Sequence, residues 1–257
     1  MNVPDRLTLT VVPGIPLIAP GDDLGKIIIE AIVKSGLQLI DGDILVVAQK
    51  VVSKAQGRFV DLATVVPSAQ ARDVATRVDK DPRLVEVILS ESVRVVRERR
   101  SLLIVEHRSG YVAANAGVDQ SNVAPPPKED LVLLLPKDAD MAAAELRACM
   151  EQHFAARIGV IVSDSFGRPW RLGTVGIALG ASGVAALNDL RGRPDLHGRP
   201  LQVTMTAFAD EVASAASLLM GQAAESHPVI VVSGFAAQDG DLPAKSLIRP
   251  AAEDLFR

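Results

Sequence analysis

The chain contains one cysteine, Cys149, among 257 residues, which excludes an internal disulfide framework and any cysteine-clustered metal site. That composition fits a reducing compartment, so a cytoplasmic location is expected. Rings are scarce as well. Aromatic residues amount to 3%, with a single tryptophan, and leave little for the base stacking that binds single-stranded nucleic acid. Neither sign of charge dominates: 27 basic residues face 31 acidic ones, and a formal net charge of -4 invites neither nucleic acid nor an anionic membrane. Long apolar runs are missing too. The longest uncharged stretch, Leu172 to Asn188, is broken by Gly173, Gly176, Gly180 and Gly183 and falls short of the ~20 apolar residues a membrane span needs. It reads as buried structure instead. The N-terminal residues carry Asp5 and Arg6 and lack the basic start and apolar core of a signal peptide.

Familiar signatures are absent. There is no GxxxxGK[ST] loop, no GxGxxG after a strand and no HExxH, so any nucleotide site must be of another type. His107, His153, His197 and His227 are widely separated, stand beside no nucleophile motif, and read as ordinary surface or loop residues. No fixed-period repeat suggests a solenoid or propeller.

What is present is a 48% hydrophobic content, enough for a full core in one large domain or two intimate lobes. Strand-like runs alternate with helical periods, which predicts mixed α and β structure. Strands are expected at Leu7–Val12, Ile44–Ala48, Leu102–Glu106, Tyr111–Ala114, Leu131–Leu135, Ile158–Val162, Gln202–Phe208 and Val229–Ser233. Helical spacing marks Leu24–Leu39, Ser68–Val78, Pro82–Arg97, Ala139–Phe154 and Asp210–Met220, the last ended by Gly221. Between them, Gln49–Arg58 reads as a polar exit from a buried strand, and Asn115–Lys128 as irregular.

Chemistry gathers in the polar segments at strand ends. Asp119, Asp164 and the Ser165 hydroxyl are oxygen donors suited to Mg2+ or Mn2+, which bind few protein oxygens and leave room for phosphate and water. An aspartate after a strand is more often a turn or cap residue, although neighbouring glycines permit close approach of a ligand. Lys50, Lys54 and Arg58 supply cationic charge, and a lysine can serve as a point charge on phosphate. Taken alone, such residues are usually solvated surface.

Together these residues carry a more specific signal. The series Val12–Pro16, Pro20–Leu24, Asp41–Val47, Val52–Arg58, Asn115–Asp119, Asp164–Ser165 and Leu219–Gln222 resembles the coenzyme F420-0:L-glutamate ligase family in order and spacing, from about residue 7 onward. The resemblance implies a single ligase domain over residues 1–257, α+β in class, two-lobed, and paired in an intertwined homodimer. Because the chain ends at Arg257, no C-terminal nitroreductase-like domain is expected.

The same resemblance implies a GTP site that is not a P-loop. Pro13, Gly14, Ile15 and Pro16 would wall the nucleotide. Gln49, Lys50 and Lys54 would reach it, with Asn122 joining from a second loop, and Met220, Gly221, Gln222, Ala223, Ala224, Glu225, Ser226 and His227 would close over it. Two divalent cations would sit on Asp119, Asp164 and Ser165, with Gln222 at the second ion, and Lys54, Asp119 and Asp164 would carry the catalysis. A requirement for K+ is left open. Two positions depart from the family's usual pattern: Lys50 stands where a small hydroxyl residue is common, and Gln222 where an acid often appears. Asp210 and Glu211 are nearby acids that could compensate for the second.

The implied reaction joins L-glutamate to the lactyl carboxylate of F420-0 through an acyl phosphate, releasing GDP and phosphate. Later glutamates would be added through γ-carboxylates. Competing readings are a GTP-dependent ligase of the same fold with a different carboxylate acceptor, and a non-catalytic nucleotide-binding protein.

Overall fold

The computed structural model describes residues 4–123, 130–237 and 240–255. Its first elements are β1 (Thr8–Val11), α1 (Leu24–Lys34), β2 (Ile44–Ala48) and α2 (Gln49–Ala55). Asp23 caps α1 by accepting from the Lys26 backbone N–H, and Leu24, Ile28, Ala31 and Ile32 form its buried stripe. The helix stops at Lys34 rather than Leu39, because Gly36 adopts a left-handed φ of 72° and turns the chain away.

The next segment holds β3 (Phe59–Asp61), α3 (Ala69–Val78), α4 (Pro82–Ser90), β4 (Ser92–Arg99), β5 (Leu102–His107), β6 (Val112–Ala114) and β7 (Leu131–Leu133). The helix expected over Pro82–Arg97 is therefore half helix and half strand. Its apolar residues Val85, Ile88, Leu89, Val93 and Val96 satisfy helical spacing, but Val93, Val95 and Val96 are β-branched and lie in a strand antiparallel to β5, where Val95 pairs with Val105 and Val93 and Val96 fall at two irregularities of register.

Then follow α5 (Ala139–Phe154), β8 (Gly159–Arg168), β9 (Arg171–Ser182), β10 (Asn188–Asp189), β11 (Met205–Thr206), α6 (Phe208–Met220) and β12 (Val229–Ser233). Short 3-10 turns lie at Leu62–Thr64, Asn115–Gly117, Ala244–Leu247 and Ala251–Glu253. The strand expected at Gln202–Phe208 shrinks to Met205–Thr206, and Phe208 opens α6 instead. The stretch read as buried, Leu172 to Asn188, splits: Leu172 is 99% exposed, whereas Ala178 to Ser182 are buried.

The main sheet runs β1-β12-β2-β8-β9, with only β2 and β8 parallel. Each face carries its own core. Leu45, Val47, Val160 and Val162 pack with α1 and α5, while Ile44, Val46, Ile161 and Ile230 pack with α6. This period-2 division is what strands covered on both faces require. A third core, with Leu62, Val74, Val85, Leu103 and Val132 among its members, is built by β3, α3, α4, β5 and β7. The result is mixed α+β, and among the described residues no helix is long and apolar enough to cross a membrane.

Candidate active site

The site grows from an irregularity in the main sheet. β8 pairs with β9 in register up to Val162 opposite Gly180, and pairing resumes at Ser163 opposite Ala178. Leu179 is the extra residue of this bulge. Bulges bend and twist a strand and re-aim the side chains next to them. Here Ser163, Asp164 and Ser165, just past it, line a cavity of about 620 Å3. Asp164 and Ser165 thus lie within a long strand, not in the strand-end loop the sequence suggests. Gly176, on β9 opposite Ser165, also lines the cavity, and a Cβ there would stand 2.4 Å from the Ala213 carbonyl of α6. Only glycine allows α6 to lie so close to the strand.

The second wall is α2, which follows β2 directly. Gln49–Arg58 reads from sequence as a polar exit, but its first seven residues form this helix, with Val52 and Ser53 buried and the Ser53 hydroxyl donating to the Gln49 side-chain oxygen at 2.9 Å. That bond satisfies two polar groups inside the protein and lets a helix form where polarity alone suggests a loop. Lys50 and Lys54, four residues apart, share one face of α2. The Lys54 ammonium donates to the Asn122 carbonyl at 2.6 Å. Desolvation, and then the charge of Lys50, lower its pKa, while Asp119 opposes them.

Asn122 carries the contact further. Its side-chain amide donates to the Ala223 carbonyl at 2.9 Å, so one residue joins the loop after Asp119 to the loop after α6. Within that second loop, Gly221 has φ 70°, and the Glu225 carboxylate accepts from the Ala223 N–H at 2.8 Å. Backbone hydrogen bonds hold the Glu225 carboxyl below its ordinary range. His227 Nδ1 donates to the Leu219 carbonyl at 2.9 Å, clasping the end of α6.

Asp164 is the most perturbed acid of the site. Protein surrounds its carboxyl closely, and desolvation pushes its pKa up to about 7, with Asp119 adding to the rise and the Ser165 N–H and Lys50 opposing it. Asp119 does not line the cavity. It stands behind Lys50, whose Nζ lies 2.9 Å from Asp119 Oδ2.

Of the residues singled out from sequence, Ile15, Pro16, Gln49, Lys50, Lys54, Asn122, Asp164, Ser165 and the whole of Met220–His227 meet at this one cavity. Pro13 and Gly14 are exposed on the turn before it and do not line it. Asp210 and Glu211 do not line it either: the Asp210 carboxylate accepts from the Ala178 N–H at 2.8 Å, beside the bulge. The proposed compensation for Gln222 by these acids is therefore not what the structure offers. Leu17, Ser163, Gly176 and Ser217 line the cavity without having been singled out. Leu17 is 73% exposed despite its size and offers an apolar contact to a ligand. Among the described residues no three of His, Cys, Asp or Glu come together as a metal cluster.

Sequence comparison accords with this picture. The profile of the family described as F420-0:Gamma-glutamyl ligase matches residues 14–234. The protein named coenzyme F420:L-glutamate ligase of Methanothermobacter thermautotrophicus is 42% identical over 255 residues, covering 98% of this chain and 99% of its own length. Its namesake from Methanopyrus kandleri is 44% identical over 257 residues, covering 97% and 98% respectively. That from Methanocaldococcus jannaschii is 43% identical over 217 residues, covering 84% and 85%. With a family profile spanning most of its length and relatives of this similarity aligned nearly end to end, the chain belongs to the F420-0:gamma-glutamyl ligase family.

Proposed function

We propose that the protein is a GTP-dependent ligase that joins L-glutamate to F420-0 through an amide bond. The observation that carries this reading is the meeting, in one cavity of a chain of this family, of two lysines, an oxygen-donor pair and a loop pinned over them. Relatives named for the ligation of L-glutamate to coenzyme F420 support the substrate class.

A carboxylate does not acylate an amine at neutral pH because its leaving group is poor. One oxygen of the acceptor carboxylate attacks the γ-phosphorus of GTP, and GDP departs with the bonding electrons. The α-amine of glutamate then attacks the acyl carbon, displaces phosphate and loses a proton. Lys54 sets its ammonium against the nucleotide phosphates, and its partial burial strengthens that interaction relative to water. Asn122 holds the Met220–His227 loop over the nucleotide through Ala223. Asp164 and Ser165 have the donors for a hard dication, Mg2+ or Mn2+, and the family resemblance implies two such ions on Asp119, Asp164 and Ser165, with Gln222 at the second. Such a cation, when bound, neutralises charge on the transferring phosphoryl group. In this reading the working form is a homodimer, which sedimentation would test.

Mass spectrometry of a mixture of F420-0, GTP, Mn2+ and L-glutamate tests the function. A product heavier by one glutamyl residue, with GDP released only when the acceptor is present, is the expected result. GDP release without a glutamylated F420 product would mean hydrolysis in place of glutamyl transfer, and a glutamylated product formed only when another carboxylate acceptor is supplied would favour that acceptor. No turnover with any acceptor would overturn the reading.

A further inference from the structure

We infer that the ammonium of Lys50 fills one of the two cation seats, so that each chain takes a single divalent ion, at Asp164 and Ser165. The inference rests on the reading that this cavity binds a guanine nucleotide together with divalent ions. It concerns how many ions the chain needs and which residue replaces the other.

The surroundings of Lys50 make the case. Its Nζ lies 2.9 Å from Asp119 Oδ2, 3.1 Å from the Ser121 carbonyl oxygen and 3.1 Å from the Ser121 hydroxyl. An ammonium has three protons and no acceptor, and here it meets three oxygens. The other Asp119 oxygen is engaged as well: Oδ1 accepts from the Ser121 hydroxyl at 3.0 Å and from its backbone N–H at 3.3 Å. The Ser121 hydroxyl therefore donates its one proton to Asp119 and accepts from Lys50, closing a ring of three residues. A carboxylate, a carbonyl and a hydroxyl are the donors a hard cation would choose, and all of them face a fixed positive charge.

Charge argues the same way. Asp119 and Asp164 carry two negative charges when ionised, and Lys50 and Lys54 carry two positive ones. Lys50 thus offsets the charge of Asp119, as a bound cation would, and Lys54 is left for the phosphates. A dication beside Asp119 would meet the Lys50 ammonium at close range, and Gln222, on the cavity wall, brings no negative charge of its own. Asp164 differs in kind. Neither of its carboxylate oxygens is held by a lysine, it opens onto the cavity, and the Ser165 hydroxyl stands next to it in β8.

The spacing of the two lysines is consistent with this division of labour. Like charges at i and i+4 destabilise a helix, and Lys50 is among the causes that lower the Lys54 pKa. Pairing Lys50 with Asp119 limits that cost while leaving Lys54 available to the nucleotide.

Counting bound Mn2+ tests the inference without reference to turnover. The purified chain is titrated with Mn2+ in saturating GDP, and free Mn2+ is read by electron paramagnetic resonance. The parent should bind one Mn2+ per chain, with no spin coupling between neighbouring ions. Lys50→Ser, and the pair Lys50→Ser with Gln222→Glu, should rise to two per chain, the pair showing a coupled signal. Two ions per chain in the parent would overturn the inference while leaving the ligase reading intact. One ion in the parent and in both variants would show that Lys50 is not what closes the second seat. No bound Mn2+ in the parent would overturn both readings. The parent alone decides the first and last outcomes if a variant fails to fold.

Discussion

The hydroxyl of Tyr111 donates a hydrogen bond to the carbonyl oxygen of Leu179, the residue by which β9 exceeds β8 at the bulge beside Asp164. Tyr111 belongs to the hairpin around β6, so a residue outside the main sheet secures the irregularity on which the site depends. Burial first, then Asp140, Asp138 and Asp210, push its phenol pKa well above the ordinary value, so it stays a donor at any working pH. Leu179 is itself buried, leaving its carbonyl little access to water.

Tyr111→Phe should therefore destabilise the protein by about 1–3 kcal/mol, the cost of stranding a buried acceptor. In a chain of this size that corresponds to about 2–4 °C of melting temperature for each kcal/mol. The ring contact with Phe166, edge-on at 6.3 Å, is kept by phenylalanine, so the change isolates the hydroxyl. A thermal melt superimposable on that of the parent would sink the assignment.

Much of the frame was legible because its elements follow one rule at a time. Val229–Ser233 matches its expected strand, and Ala139–Phe154 its expected helix, with Asp138 capping the start. Where two rules compete, the reading failed. Gln49–Arg58 looks like a polar exit because it carries Lys50, Lys54 and Arg58, and the hydrogen bond between Ser53 and Gln49 that lets its first part form a buried helix turn appears only once the chain is folded. The bulge at Leu179 has no local signal either, since it depends on the register between two strands. The ring of Lys50, Asp119 and Ser121 joins positions far apart in sequence, and their charge and spacing say nothing of it. Residue types and family resemblance did single out most of the cavity wall, but not which of those residues already bond one another.

Gly221 offers a test of the loop. Its φ of 70° is one that residues with a side chain rarely adopt, and a Cβ there would come within 2.3 Å of the Glu225 carboxylate. Gly221→Ala should displace Glu225 and distort the loop that Asn122 holds, for a strain of about 1–3 kcal/mol that the exposed loop can relieve by moving. The expected result is a tenfold or greater rise in KM for GTP with little change in the melting temperature. An unaltered KM would show that this loop does not touch the nucleotide.

Lys54 separates a phosphate contact from a structural tie. If its charge acts on the nucleotide, Lys54→Ala should lower kcat/KM for GTP by about a hundredfold, in line with the loss of a preorganised electrostatic group. Lys54→Arg keeps the charge but changes its shape, so it should restore only part of the rate. Loss of the bond to the Asn122 carbonyl alone would behave differently, lowering stability with the rate at saturating GTP preserved. Full activity of Lys54→Ala at subsaturating GTP would return the residue to the solvated surface.

The raised pKa of Asp164 couples the stability of the fold to pH. Its carboxyl titrates near the ordinary 3.8 when unfolded and is pushed up to about 7 when folded. Below 3.8 both states carry the proton, and the contribution of this group to stability is fully present. Between 3.8 and 7 the unfolded chain releases the proton while the folded one retains it, so the contribution is lost as pH rises and is gone above 7. A shift of that size corresponds to at most about 4 kcal/mol. Asp164→Asn has no proton to lose, so its melting temperature should gain on that of the parent from pH 4.5 to pH 7.5. Adding Mn2+ and GDP should reverse the trend in the parent alone, because a carboxylate ligand must be ionised to bind and the cation then stabilises the charged form. Melting curves of both proteins at several pH values, with and without Mn2+ and GDP, supply the measurement. Parallel pH profiles for parent and variant would mean that Asp164 ionises freely in the folded chain, and a Mn2+ response retained by Asp164→Asn would place the ion elsewhere.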